Sequence, residues 1–211
     1  MPSEPFYLSG GTALAEYYLQ HRFSDDLDFF TRDRANFASA NNRVREAASA
    51  ARLAISDVVV GDYSVRYRLD GDVVTDHQLQ KVEFLYDPAP YQRDPSRIGA
   101  ALVDSLLCIA IKKVDALHNR TEIKDFIDFY LAVQKGGYSV TDLIAVAKAK
   151  NGAIDEWAVA AQFDSFDSLM PLDDFKRLYM KSEISVDAIS EFYRTWAGRV
   201  FEAFGNRRQP S

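Results

Sequence analysis

Sulfur is almost missing from this sequence. Its 211 residues include one cysteine, Cys108, set in an apolar helical stretch. A lone thiol excludes a disulfide framework and a thiolate metal site. Histidine is scarce too: His21, His77 and His118 are scattered without ligand spacing, which argues against zinc. No apolar run is long enough to cross a bilayer and no secretory leader is visible. A cytoplasmic protein with no membrane association is therefore expected. Positive charge is in deficit, with 25 Lys and Arg against 31 Asp and Glu, a net −6. That disfavours indiscriminate nucleic-acid binding, whose affinity comes mostly from phosphate neutralisation. It also suits an acidic protein held by a basic partner. Internal repeats and low-complexity runs are absent.

What is present is a core. Hydrophobic residues make up 47% and aromatics 13% of the chain, enough for one domain or a small two-lobed one. Residues 8–30, LSGGTALAEYYLQHRFSDDLDFF, organise the rest. Phe6-Tyr7-Leu8 reads as a brief strand, and Gly10-Gly11 permit a tight turn with close backbone approach. Thr12 to about Gln20 reads as a helix with Ala13, Leu14, Tyr17 and Tyr18 roughly on one face. Bare N–H groups at its start make a phosphate cradle. The following strand carries Ser24, Asp26 and Asp28, and the two aspartates, two apart, point to the same side. Paired carboxylates repel unless a cation sits between them, and oxygen-seeking Mg²⁺ (or Mn²⁺) is the natural one, arriving with phosphates. Alone, either half also fits common turn punctuation or a solvated strand.

Further on, Asn36 to about Ala54 reads as an alanine-rich helix with Phe37, Val44, Ala48 and Ala51 near one stripe. Ile55–Val60, Tyr63–Leu69 and Gln78–Tyr86 read as strands, with turns at Gly61-Asp62 and Gly71-Asp72. Glu83 lies opposite in face to Val82 and Phe84. It either faces solvent, pairs with an arginine of the neighbouring strand, or stands as a third carboxylate beside Asp26 and Asp28. From Gly99 onward helix is expected, first as one amphipathic stretch from Ala101 to His118. There Leu102, Leu106, Ile109, Lys113 and Leu117 share a sector, so Lys113 rather than Lys112 interrupts the apolar stripe. An inward lysine needs an anion; a structural pair with Asp125, or snorkelling at the edge of the face, would also satisfy it.

Thr121 is expected to cap a helix from Ile123 to about Lys135 that stops at Gly136-Gly137. Arg120, Lys124, Asp125 and Asp128 crowd its start. Later helices are expected at Thr141–Lys150, Asp155–Phe163, Leu172–Lys181 and Val186–Phe204, interrupted by FDSFDSLMPLDD. The tail from Gly205 to Ser211 is expected to be disordered. Trp157, Phe166, Tyr193 and Trp196 are expected to fill a helical lobe. Early strands and late helices argue an α+β fold: a mixed sheet core with flanking helices over 1–98, then a helical lobe over 99–211. The two are expected to form one cooperative unit, with the site where they meet.

GGTALAEYYLQHRFSDDLDFF, KVEFLYDPAP and SLLCIAIKKVDALHNRTEIKDFIDFYLA, in that order, resemble the AbiEii/AbiGii toxin family of nucleotidyltransferases. That family belongs to the DNA polymerase beta nucleotidyltransferase superfamily, whose first motif is a G-[GS] followed by D-x-D. The likeness is clear from about residue 6 to 135. The family pattern K-x-x-A-L-x-x-R-x-x-x-[KR]-D-x-x-D is met by Lys113, Ala116, Leu117, Arg120, Lys124, Asp125 and Asp128.

The resemblance implies a nucleotidyltransferase-like core and an NTP-dependent transfer of a nucleoside monophosphate, with pyrophosphate leaving. The acceptor would be a hydroxyl of tRNA, other RNA or protein. It further implies metal ligation by Asp26, Asp28 and Glu83, and nucleotide contacts from Gly10, Gly11, Thr12, Ser24, Lys113 and Arg120, with Asp125 supporting the site. A separately encoded antitoxin is the implied partner. Relatives often carry a helical segment ahead of the glycine pair, so this chain reads either as a short form or as one without part of the acceptor surface. A small-molecule nucleotidyltransferase, or a nucleotide-binding protein without catalysis, remain the alternatives.

Overall fold

The computed structural model describes residues 6–24, 26–70, 81–90, 92–169 and 180–205. Asp25, His77, the Gly71-Asp72 turn, the start of the Gln78–Tyr86 strand, most of the Leu172–Lys181 helix and the tail after Gly205 lie outside them. The chain divides into two compact units: Met1–Tyr18 with Phe23–Ser105, and Leu19–Arg22 with Leu106–Ser211.

The first unit is a mixed sheet of seven strands. In chain order these are β1 (Tyr7–Ser9), β2 (Asp26–Thr31), β3 (Ala54–Val60), β4 (Ser64–Asp70), β5 (Lys81–Tyr86), β6 (Ser96–Ile98) and β7 (Ala101–Val103). Their spatial order is β3-β4-β5-β2-β1-β7-β6. β2 runs parallel to β5 and β1 parallel to β7, while the other neighbours are antiparallel. Helix α1 (Gly10–Ala13) follows β1 and widens into a π-helical turn over Leu14–Leu19, ended by Gln20 at φ 52°.

Helix α2 (Arg34–Ala50) covers one face of this sheet. Asp33 starts it, accepting from the Ala35 and Asn36 amides at 2.7 and 3.3 Å, which sets the start two residues ahead of the expected Asn36. Arg52, at φ 57°, ends the run before the expected Ala54. Phe37, Ala40, Val44 and Ala48 of α2 pack with Tyr67 and Leu69 of β4 and Val82 and Phe84 of β5. That core uses every second residue of β5, so Glu83 faces the other way.

The expected helix from Ala101 is corrected. Ala101–Val103 is a strand, because Gly99 at φ +60° turns the chain back on Ser96–Ile98 and Val103 pairs with Leu8 of β1. Strand pairing outcompetes the helical periodicity that these residues also satisfy. The division between units accordingly falls after Ser105 rather than after residue 98.

The second unit is helical: α3 (Leu106–Asn119), α4 (Ile123–Gly136), α5 (Val140–Lys150), α6 (Glu156–Leu169) and α7 (Val186–Gly205). α4 ends at Gly137 in the left-handed region, as its glycine pair suggests. Glu122, not Thr121, occupies its cap position, and Thr121 bonds Gln162 instead. α6 continues through FDSFDSL to Leu169, where a break was expected: Phe163 and Phe166 are both buried and the three-residue step keeps them on one face. Those two rings, with Phe126, Phe129 and Tyr193, form the aromatic core, whereas Trp157 and Trp196 are half-buried.

Candidate active site

In the first unit, the sheet face turned away from α2 carries the charge. Asp28 stands opposite Glu83 in the β2–β5 register, and Asp26 opposite Lys81. Asp26, Asp28 and Glu83 are therefore brought to one face of two neighbouring strands. Lys81 Nζ lies 3.2 Å from Asp26 Oδ2 and 3.7 Å from Glu83 Oε2. Arg66, opposite Glu83 on β4, donates from Nε and Nη2 to the Glu83 carboxylate at 3.2–3.3 Å. Glu83 thus pairs with an arginine of the neighbouring strand and also lies beside Asp28.

The glycine pair closes against this face. Gly10, at φ +71°, directly follows Ser9, the β1 partner of Asp28. A methyl group on Gly10 would fall on the Asp28 carboxylate, 3.2 Å from its carbon, so only glycine admits that approach. Ser9 makes no side-chain cap on the helix; its hydroxyl donates to Asp104 Oδ2 at 2.8 Å. Thr12 Oγ1 meets Ser24 Oγ at 2.9 Å and donates to the Asp26 carbonyl, tying helix start to acidic strand.

In the second unit, Lys113 is buried, as its place in the apolar stripe predicts. Its ammonium lies 2.7 Å from both Asp125 Oδ1 and Asp128 Oδ2. Arg120 Nε donates to Asp125 Oδ2 at 2.6 Å. Arg22 grips Asp128 through Nε and Nη2, each 2.8 Å away, and His21 Nε2 reaches the same carboxylate at 2.8 Å. Among the described residues, the buried His21 Nδ1 has no hydrogen-bond partner.

Burial pushes the Asp128 carboxyl up, but the Lys113 charge and the hydrogen bonds from Arg22 and His21 outweigh it and hold it well below the usual carboxylate range. Asp125 is held below its ordinary value the same way, burial opposed by Lys113 and Arg120. Burial pushes Lys113 down, and its two aspartates more than compensate, so the ammonium is held above the usual lysine value. Burial, then the charges of Asp125 and Asp128, push the Tyr193 hydroxyl well above its usual value.

Lys81, Asp104, His21 and Arg22 escape a reading of the sequence, and Arg66 is foreshadowed only as an arginine on the strand beside Glu83. Asp104-Ser105 ahead of an apolar run is a helix-start signal that could have exposed the 101–118 misreading. Nothing local marks Lys81 or Arg66, whose role comes from register.

A family model described as "Nucleotidyl transferase AbiEii toxin, Type IV TA system" matches residues 2–190. The chain belongs to this AbiEii family. As a member it is a nucleotidyltransferase, of the toxin side of a type IV toxin–antitoxin system. It is 28% identical over 193 residues to an uncharacterised protein of Aquifex aeolicus (strain VF5), covering 90% of this chain and 84% of that protein. Its fold is like that of a candidate nucleotidyltransferase from H. pylori, with a TM-score of 0.60 and 20% identity, covering 99% of this chain and 91% of the other. JHP933 from Helicobacter pylori aligns with a TM-score of 0.57 and 20% identity, covering 97% of this chain and 87% of that one.

The AbiEii assignment makes a divalent cation the group to test. Asp26, Asp28 and Glu83 put only anionic oxygens on one sheet face, the donor type that hard cations take. Among the described residues no three His, Cys, Asp or Glu side chains are gathered closely enough to hold a metal ion by themselves. A cation already stands there, the Lys81 ammonium shared by Asp26 and Glu83. The face fits a positive ion. Among the described residues, no helix is long and apolar enough to cross a membrane.

Proposed function

We propose that this AbiEii-family protein transfers a nucleoside monophosphate from an NTP to a hydroxyl acceptor. The observation that carries it is Asp28, held between Gly10 and Glu83 on the charged sheet face. Asp26 and Asp28 would hold Mg²⁺, which when bound supplies charge neutralisation to the triphosphate. The backbone amides of the Gly10-Gly11 turn, with Thr12 and Ser24, bind phosphate oxygens.

Of the second unit, Lys113 and Arg120 are assigned to the phosphates and Asp125 to holding Lys113. Support comes from two cations, Lys113 and Arg120, that converge on the Asp125 carboxylate. The acceptor hydroxyl attacks the α-phosphorus, its proton drawn towards Glu83, and the bond to pyrophosphate breaks. The acceptor class we assign is RNA, with tRNA the first to try, or a protein side chain; a cognate antitoxin is the implied protein partner.

The test incubates purified protein with each α-³²P-labelled NTP, Mg²⁺ and total RNA, beside Asp28→Asn. Label should enter one macromolecular fraction with the wild type only, and Asp28→Asn should lose about a hundredfold or more in rate with its fold intact. Label confined to small molecules would assign a small-molecule transferase. Saturable NTP binding without transfer would leave a binding protein. Undiminished transfer by Asp28→Asn would remove the site.

A further inference from the structure

Lys81 opens the KVEFLYDPAP block with no role assigned to it there, and its ammonium is the cation that Asp26 and Glu83 share. Its ammonium bridges Asp26 of β2 and Glu83 of its own strand, and Arg66 completes the neutralisation from the far side of Glu83. Without these cations, the carboxylates of adjacent strands would face one another at sheet spacing and repel. The bridge differs from a structural ion pair in its wetness. The Lys81 and Asp26 side chains are 27% and 34% exposed, and neither contact is as short as those around Asp128. A partly wet, loosely held ammonium is readily released, because water can take over its hydration as it leaves.

We propose that Lys81 is a built-in counter-ion that stands in for the divalent cation and must leave Asp26 before that cation binds. This rests on the assignment of Asp26 as a metal-holding residue. It gives Lys81 two opposing effects. It stabilises the metal-free protein by screening carboxylate repulsion, and it weakens metal binding by competing for the same oxygens. Loading of the face is then set by lysine displacement as well as by the intrinsic affinity of the carboxylates. The position of Lys81 makes this possible: in parallel register with Asp26, its side chain rises from the same face.

The experiment compares full-length wild type, Lys81→Gln and Lys81→Arg, using Mn²⁺ as probe. Bound metal is read from the loss of the free Mn²⁺ electron-spin-resonance signal, and stability from thermal melts with EDTA and with Mn²⁺. Lys81→Gln should bind Mn²⁺ roughly three- to tenfold more tightly, while Lys81→Arg should stay near wild type. In EDTA, Lys81→Gln should melt lower than wild type, and Mn²⁺ should raise its midpoint by more. Equal or weaker Mn²⁺ binding by Lys81→Gln, with the wild type binding normally, overturns the counter-ion role and leaves the metal assignment standing. Binding by neither protein overturns both.

Discussion

The two charged regions of this protein handle the same problem in opposite ways. On the sheet, Asp26 and Glu83 are neutralised by Lys81 and Arg66 at 3.2–3.7 Å, with Arg66 half in solvent. Around Asp128, one carboxylate with no solvent exposure takes His21, Arg22 and Lys113, all at 2.7–2.8 Å. A buried charge is tolerated only when its partners saturate it, and such a cluster is hard to rearrange. A half-wet pair contributes little and exchanges partners easily. The contrast is between a saturated, buried charge cluster and a half-wet one whose partners exchange easily.

Removing the saturated carboxylate should have the largest effect. Asp128→Ala strands Arg22 and Lys113 in the interior and should destabilise the protein by about 3–5 kcal/mol, read from urea unfolding. A loss below about 1 kcal/mol would make this cluster no different from the sheet face.

Acid should come next. Asp125 and Asp128 have folded values held below the ordinary carboxylate range, so their stabilisation is present above the unfolded value of about 4 and is lost as pH falls below it. Lys113 is held above its ordinary value, so its stabilisation is complete below the unfolded lysine value of about 10.4 and lost as pH climbs through the folded one. Unfolding midpoints followed by Trp157 and Trp196, both in the helical unit, should therefore show no loss from this cluster between those limits. In Asp128→Asn that acid dependence should shrink.

Gly10→Ala sharpens the sheet side. It imposes a positive φ on alanine and sets a methyl on the Asp28 carboxylate, which should lower stability by about 1–2 kcal/mol. Transfer activity should fall further than that loss explains, since Asp28 must shift. Arg66→Ala should do least: its guanidinium is half in solvent and Lys81 stays beside the buried Glu83 carboxylate, so a change of about 1 kcal/mol in unfolding free energy is expected. A larger loss would place Glu83 with the structural charges.

Much of the site was legible because short-range rules govern it. Asp26 and Asp28 share a side since a strand alternates, and Lys113 turns inward since its position repeats an apolar stripe. Gly136-Gly137 ends α4 since a left-handed residue suits glycine. The failures have one cause as well. Ala101–Val103 satisfies a helical period, yet its partners, Leu8 and Ser96–Ile98, lie outside any local window. His21 and Arg22 sit beside the first motif in sequence, but their partner Asp128 is over a hundred residues away.

The sequence by itself carried the family resemblance in three blocks, the order of β1 to β5, and the residue types able to meet phosphate and metal. The strands follow from periodicity and turn signals, and the residue types from the spacing of a few motifs. Only the tertiary structure decided which charge answers which. Strand register set Lys81 and Arg66 around Asp26 and Glu83, and helix packing gathered Lys113, Arg22 and His21 on Asp128. Coulomb interaction acts through space rather than along the chain, so the partner of a carboxylate is known only once the backbone has closed.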